Sequence, residues 1–180
     1  MKKVLLMYYS KYGFTKKYAF WLAPKLDADI MTVNKVRAKN LSSYDTIILG
    51  SSIYSGSITG ADILIKNFNR IKNKKLVIFT CGIADVGNAD NMALINKSIQ
   101  KKFPEDLKAA VKIFNLQGGI NYQNLSFKHK LIMGIMYNGI SHKATSDITE
   151  SDQKFLDAYG KNRDYTSEDN LEDIMSYCLG

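Results

Sequence analysis

An α/β fold with a five-stranded parallel sheet covered by helices on both faces is what this chain predicts, and three observations carry the prediction. Short apolar runs rich in β-branched residues alternate with stretches of helical period. No long stretch lacks both patterns before Gly118-Gly119. Three of the apolar runs end in loops rich in glycine or hydroxyls, beginning at Ser10, Ser51 and Cys81.

The elements follow in order. Val4 to Tyr9 reads as a strand buried on both faces. From Thr15 the apolar positions Tyr18, Ala19, Leu22, Ala23 and Leu26 fall at helical spacing, and Pro24 should kink the helix or shorten its last turn. Ala28 to Val33 is a second strand, and Thr46 to Gly50 a third. Asn40 to Asp45 between them reads as a loop or a single turn. Ser51 to Ser57 reads as a loop, and Asp62 to Lys72 as a helix carrying Leu64, Phe68 and Ile71 on one face. Leu76 to Cys81 is the fourth strand, followed by a loop to Asn91 and a helix to Phe103, which Pro104 stops. Val111 to Leu116 is the fifth strand. Gly118-Gly119 interrupts it, and no single form emerges from Ile120 to about Ile148. Glu150 to Tyr159 is helical, and Ser167 can cap a last helix with a stripe of Leu171, Ile174, Met175 and Cys178.

A length of 180 residues suits one domain, expected to run 1–180 with a long insertion at about 118–148. No apolar run approaches the ~20 residues of a membrane-spanning helix. Met1-Lys2-Lys3 leads into too short an apolar run for a secretory leader, so a cytoplasmic protein is expected. Two cysteines and two histidines show no paired spacing, so no disulfide framework and no metal site are expected. The net charge of +8 fits either an anionic partner or, more simply, a solvated lysine-rich surface.

Chemistry should gather outside the carboxyl ends of the strands. Ser10-Lys11-Tyr12-Gly13-Phe14-Thr15 joins a buried strand to a helix. Unpaired N–H groups and a helix dipole meet there, which makes an anion site, although an ordinary turn with Thr15 as N-cap would look the same. The G-x-G-x-x-G and G-x-x-x-x-G-K-[ST] fingerprints are both missing, which argues against a dinucleotide site of that type and a P-loop nucleotidase. Tyr8, Tyr9 and Ser10 stand where a phosphoacceptor receiver would need carboxylates.

Ser10-Lys11-Tyr12-Gly13-Phe14-Thr15 resembles the hydroxyl-x-x-Gly-x-Thr phosphate loop of flavodoxins, and the likeness continues through Ser51–Gly56 and the loop after Thr80. Gly50-Ser51-Ser52-Ile53-Tyr54-Ser55-Gly56 and the long segment after Gly118-Gly119 resemble the branch containing menaquinone-dependent protoporphyrinogen oxidase. The resemblance implies a flavodoxin-like three-layer sandwich with strand order 2-1-3-4-5. It implies FMN as cofactor, with Ser10, Lys11, Tyr12, Gly13, Phe14 and Thr15 on the phosphate and Ser51, Ser52, Ile53, Tyr54, Ser55 and Gly56 flanking the ring. Tyr54 is the candidate for stacking on it, the alternative being a surface-loop tyrosine, and Gly56 would lie near the flavin N5. Thr80, Cys81, Gly82 and Ile83 would line the other side, Cys81 as a buried small hydrophobe in preference to a redox thiol.

The implied function is an FMN-dependent oxidoreductase or redox protein that accepts electrons or hydride and passes them to a quinone or other acceptor. The alternative is a flavodoxin-type carrier docking on protein partners. The electron source would be a redox partner protein or a small-molecule donor, and no nucleic acid is expected. No general acid or base stands out. Electron-carrier flavodoxins are typically acidic and this chain is basic. Cations near the ring, Lys11 among them, would make its potential less negative. The segment Phe127–Tyr137 places basic residues beside a dense apolar run. A core helix under the sheet edge is the plainer expectation for it. Contact with a quinone, with the inner face of a membrane or with a partner through 127–143 is the other. His129 and His142 are expected to be surface or capping residues.

Overall fold

The computed structural model describes residues 2–54 and 56–180. Its sheet is built from β1 (Val4–Tyr8), β2 (Ala28–Thr32), β3 (Thr46–Tyr54), β5 (Lys75–Gly82) and β6 (Val111–Gln117). The short β4 (Ser57–Ile58) folds back antiparallel on the end of β3. The five long strands are parallel, in the order β2-β1-β3-β5-β6. Leaving β4 aside, this is the expected 2-1-3-4-5 order. Parallel neighbours need crossovers, and the helices that supply them cover both faces.

Alternation along the strands sorts the core into two layers. Leu5, Met7, Ile47, Leu49 and Ile78 point to one face, all 0% exposed, beneath α3 (Asp62–Ile71), α4 (Ala89–Lys102) and α5 (Glu105–Ala110). Leu6, Ile48, Val77 and Phe79 point to the other, beneath α1 (Phe14–Lys25) and α8 (Glu172–Leu179). A four-residue turn of helix, α2 (Ala38–Leu41), seats Leu41 in the first layer. Gly50 is required by packing, because a Cβ there would lie 2.4 Å from the Phe79 ring.

Several boundaries differ from the sequence expectation. α1 begins one residue early, with Gly13 as N-cap in the left-handed region (φ 98°), so Thr15 is not the cap. Pro24 acts by shortening, since the helix ends at Lys25. Ser51, Ser52, Ile53 and Tyr54 were expected in a loop and instead continue β3, because β5 pairs with Ser51 and Ser52, and β4 with Ile53 and Tyr54. Ser167 caps a short 3-10 turn, Glu168–Leu171, that leads into α8.

The stretch after β6 resolves into β7 (Gly119–Ile120), α6 (Phe127–Ser141), α7 (Glu150–Ala158) and β8 (Arg163–Asp164). β7 and β8 form a small antiparallel pair of their own. Gly118 and Gly119 allow that pair to lie close. A Cβ on Gly118 would be 2.6 Å from Cys81 Sγ, and one on Gly119 would be 2.3 Å from the Arg163 carbonyl. The plainer expectation for Phe127–Tyr137, a core helix, does not hold: α6 is a helix with no buried residue.

Candidate functional site

The carboxyl ends of β1, β3 and β5 open into one apolar cavity of about 240 Å³. Its floor is made by three groups of residues the sequence singled out. Tyr12 comes from the loop after β1, Phe14 and Thr15 from the first turn of α1, Ile53 and Tyr54 from the end of β3, and Cys81, Gly82 and Ile83 from the end of β5. The void is smaller than the roughly 300–1,000 Å³ usual for small-molecule sites. A volume of this size has room for part of a ligand, such as a planar ring.

The other described residues of the expected set lie outside this lining. Ser51, Ser52 and Thr80 are buried, and their hydroxyls are engaged within the protein. Ser51 donates to the Thr59 carbonyl (2.6 Å) and Thr80 to Asn115 Oδ1 (2.6 Å). Ser52 donates to the Tyr9 carbonyl (3.0 Å). Its one proton is then committed, so the 2.8 Å contact between Thr15 Oγ1 and Ser52 Oγ has Thr15 as donor. These hydroxyls tie the strand ends together. Gly56 holds the β3–β4 turn at φ 74°, and Ser55 lies outside the described residues.

The loop at 10–13 frames the rim. Ser10 Oγ accepts from the Gly13 N–H at 3.1 Å. The first turn of α1 has no side-chain cap and no acidic residue, so its free N–H groups and dipole are available to an anion. A Cβ on Gly13 would meet nothing within 4 Å, so the approach to this helix end is open. Lys11 lies beside it, in a polar recess shared with Tyr12, Asn121 and Ser126. Asn121 Oδ1 is buried without a hydrogen-bond partner among the described residues.

The roof was not foreseen. α6 contributes His129, Ile132, Met133 and Met136 to the cavity, joined by Ile120, Leu125 and Phe155. The apolar run and His129 stand out in the sequence, where a core helix is the plainer expectation for the first and a surface or capping place for the second. His129 stacks on Tyr54 (5.3 Å between centroids, 26° between planes). Its Nδ1 lies 2.8 Å from the Tyr12 hydroxyl, which also accepts from the Ser126 N–H at 3.2 Å. A neutral His129 with a bare Nδ1 can accept from Tyr12. Burial, with Lys11 and Lys128 nearby, holds the His129 pKa below its ordinary value and favours that neutral form. Burial raises Tyr12, but hydrogen bonds from Ser126 and the charge of Lys11 outweigh it and leave the phenol lowered. Tyr54 is pushed up to about 12, chiefly by burial, and stays neutral. It stands at the end of β3 and forms part of the cavity wall. Burial also drives the Cys81 thiol to about 12, so it is protonated and unsuited to thiolate chemistry. Among the described residues, no group of three His, Cys, Asp or Glu could hold a metal.

A doubly wound parallel sheet with an uncapped helix start beside an apolar slot is the architecture of proteins that bind a phosphorylated ring cofactor outside the strand ends. The sequence comparison narrows the class. A family model described as a flavodoxin domain matches residues 5–148, and the chain belongs to that family. The family binds flavin and transfers electrons to redox partners. A search of curated proteins finds no match. Among solved structures, a flavodoxin from the domain Archaea is 12% identical with a TM-score of 0.46, covering 64% of this chain and 82% of its own. A WrbA-like flavodoxin from Agrobacterium tumefaciens is 20% identical with a TM-score of 0.43, covering 64% and 84%. An NADH:FMN oxidoreductase in its apo form is 14% identical with a TM-score of 0.43, covering 65% and 76%.

Proposed function

We propose that this chain is an FMN-dependent oxidoreductase that returns its electrons to a quinone or another small acceptor. The observation that carries this reading is the roof: α6 closes the strand-end slot into a cavity with apolar walls. A carrier that exchanges electrons only by docking on proteins has no need of such an enclosure.

When bound, FMN would supply two-electron acceptance and release. The chain's residues would hold and orient it. The free N–H groups at the start of α1, with Ser10, Lys11, Tyr12, Gly13, Phe14 and Thr15 around them, suit the phosphate. Ile53, Tyr54, Gly56, Cys81, Gly82 and Ile83 suit the ring edges. Ser51, Ser52 and Thr80 act one layer back, by fixing the strand ends through their hydroxyl bonds. α6 excludes water, and the Tyr12–His129 hydrogen bond latches it to the phosphate loop. In this reading residues 1–180 form one flavodoxin-like unit, and 118–148 is the insertion that supplies the roof.

Purified protein should be yellow and should exchange its flavin for added FMN, with riboflavin binding more weakly because it lacks the phosphate. A colourless protein that ignores FMN would sink the proposal. Flavin exchange without turnover of any soluble quinone would favour the protein-docking carrier over the oxidoreductase.

A further inference from the structure

α6 is apolar on two sides. Successive residues turn by about 100°. His129, Ile132, Met133 and Met136 therefore share the side that faces the cavity. On the opposite side Phe127, Leu131 and Ile135 repeat at four-residue spacing and are 84%, 55% and 64% exposed. A helix that is apolar all round is normally buried in protein or lipid, yet nothing among the described residues covers the outer stripe.

The charge around the stripe indicates what would cover it. By the same turn angle, Lys128 and Lys130 stand on its two flanks. Neither forms an ion pair among the described residues. No Asp or Glu occurs from Leu107 to Ser146. A second copy of the chain would bring lysine against lysine at a net charge of +8 each, which opposes self-association. Phe127, Leu131 and Ile135 also offer no hydrogen-bonding groups, so the stripe carries little directional recognition of the kind a specific protein partner uses. An apolar stripe between unpaired lysines matches an anionic lipid surface, with the side chains entering the acyl boundary and the ammonium groups at the phosphates.

We infer that the outer face of α6 docks on anionic membrane surfaces, with Phe127, Leu131 and Ile135 inserted and Lys128 and Lys130 at the headgroups. The inference rests on the exposed face alone and does not depend on which cofactor the cavity holds. None of the five side chains lines the cavity. Among the described residues no helix is long and apolar enough to cross a membrane, so the contact is peripheral.

Co-sedimentation of the full chain with phosphatidylcholine vesicles, with and without phosphatidylglycerol, tests it. The wild type should bind the phosphatidylglycerol vesicles and release as salt rises. Leu131→Glu/Ile135→Glu should bind at least ~tenfold more weakly. Lys128→Ser/Lys130→Ser, which leaves the apolar stripe intact, should weaken binding several-fold and flatten its salt dependence. Both variants should keep the wild-type urea midpoint. Equal binding by wild type and the Glu variant would overturn the proposal, as would equal binding to both vesicle types. Failure of the wild type to bind the anionic vesicles would overturn it in favour of a protein partner. A wild-type dimer that Leu131→Glu/Ile135→Glu makes monomeric would overturn it in favour of a second copy.

Discussion

The floor and the roof of the cavity are held by different means. The floor sits on strands whose inward side chains, Leu49, Ile48 and Phe79 among them, are 0% exposed and locked between helices. The roof helix, α6, has no buried residue. It is tied down at separate points: the β7–β8 pair, a 2.8 Å ion pair from Lys17 to Asp164, the Tyr12–His129 bond, and the Tyr137–Tyr159 stack at 4.2 Å. Exposed ion pairs contribute at most about 1 kcal/mol each. A part held this way can open locally while the sheet stays folded. The contrast suits a binding site that must admit a large ligand over a rigid base.

The largest expected effect compares one truncation in each region. Phe79→Ala should cost about 3–5 kcal/mol of global stability by urea unfolding. Ile132→Ala, on the roof, should cost under about 1 kcal/mol. Similar losses would mean that α6 belongs to the same cooperative core and would break the comparison.

A second test loosens the roof alone. Gly119→Val introduces a Cβ that would lie 2.3 Å from the Arg163 carbonyl and 2.6 Å from the Phe14 ring. Overpacking of this kind typically costs about 1–3 kcal/mol. Here it should fall on the β7–β8 pair, speeding proteolysis within 118–164 while amide protection in β1, β3 and β5 is kept. Loss of protection in the central strands would show that the roof is not separable.

The latch between the regions should respond to pH. The folded pKa of His129 lies below its unfolded value of about 6.5. The opened state therefore binds more protons as pH falls through that value, and the closed roof is lost in that direction. Above it the contribution is complete and flat. Protection factors in α6, which compare each exchange rate with the intrinsic rate at the same pH, should fall as pH drops below about 6.5. His129→Phe, which cannot titrate, should remove that dependence, and its persistence would assign it to another group.

The smallest effect belongs to Lys11. The start of α1 can hold a phosphate through backbone N–H groups alone. Lys11→Ala should therefore shift the flavin potential to more negative values, or weaken partner docking, more than it lowers flavin affinity. A large affinity loss at unchanged potential would make Lys11 an anchor instead.

Much of the floor was legible in the chain. Apolar runs such as Thr46–Gly50 announce strands, and the hydroxyl- and glycine-containing stretch after Tyr9 announces a turn into a helix. Those signals are local. The reach of β3 through Tyr54 was not legible, because Ser51-Ser52 reads as a polar loop. Its hydroxyls are satisfied by the Thr59 and Tyr9 carbonyls and by Thr15, which the fold brings to them.

The sequence by itself determined the parallel sheet and the turn from β1 into α1, since each follows from backbone preference and short-range hydrophobic pattern. Tertiary structure alone decided where α6 goes. A helix apolar on both sides has no periodicity to say which side faces inward. The Tyr12–His129 bond that sets its place joins residues 117 positions apart. No local pattern encodes a contact over that distance, because it forms only once the sheet and the β7–β8 pair have brought the two segments together.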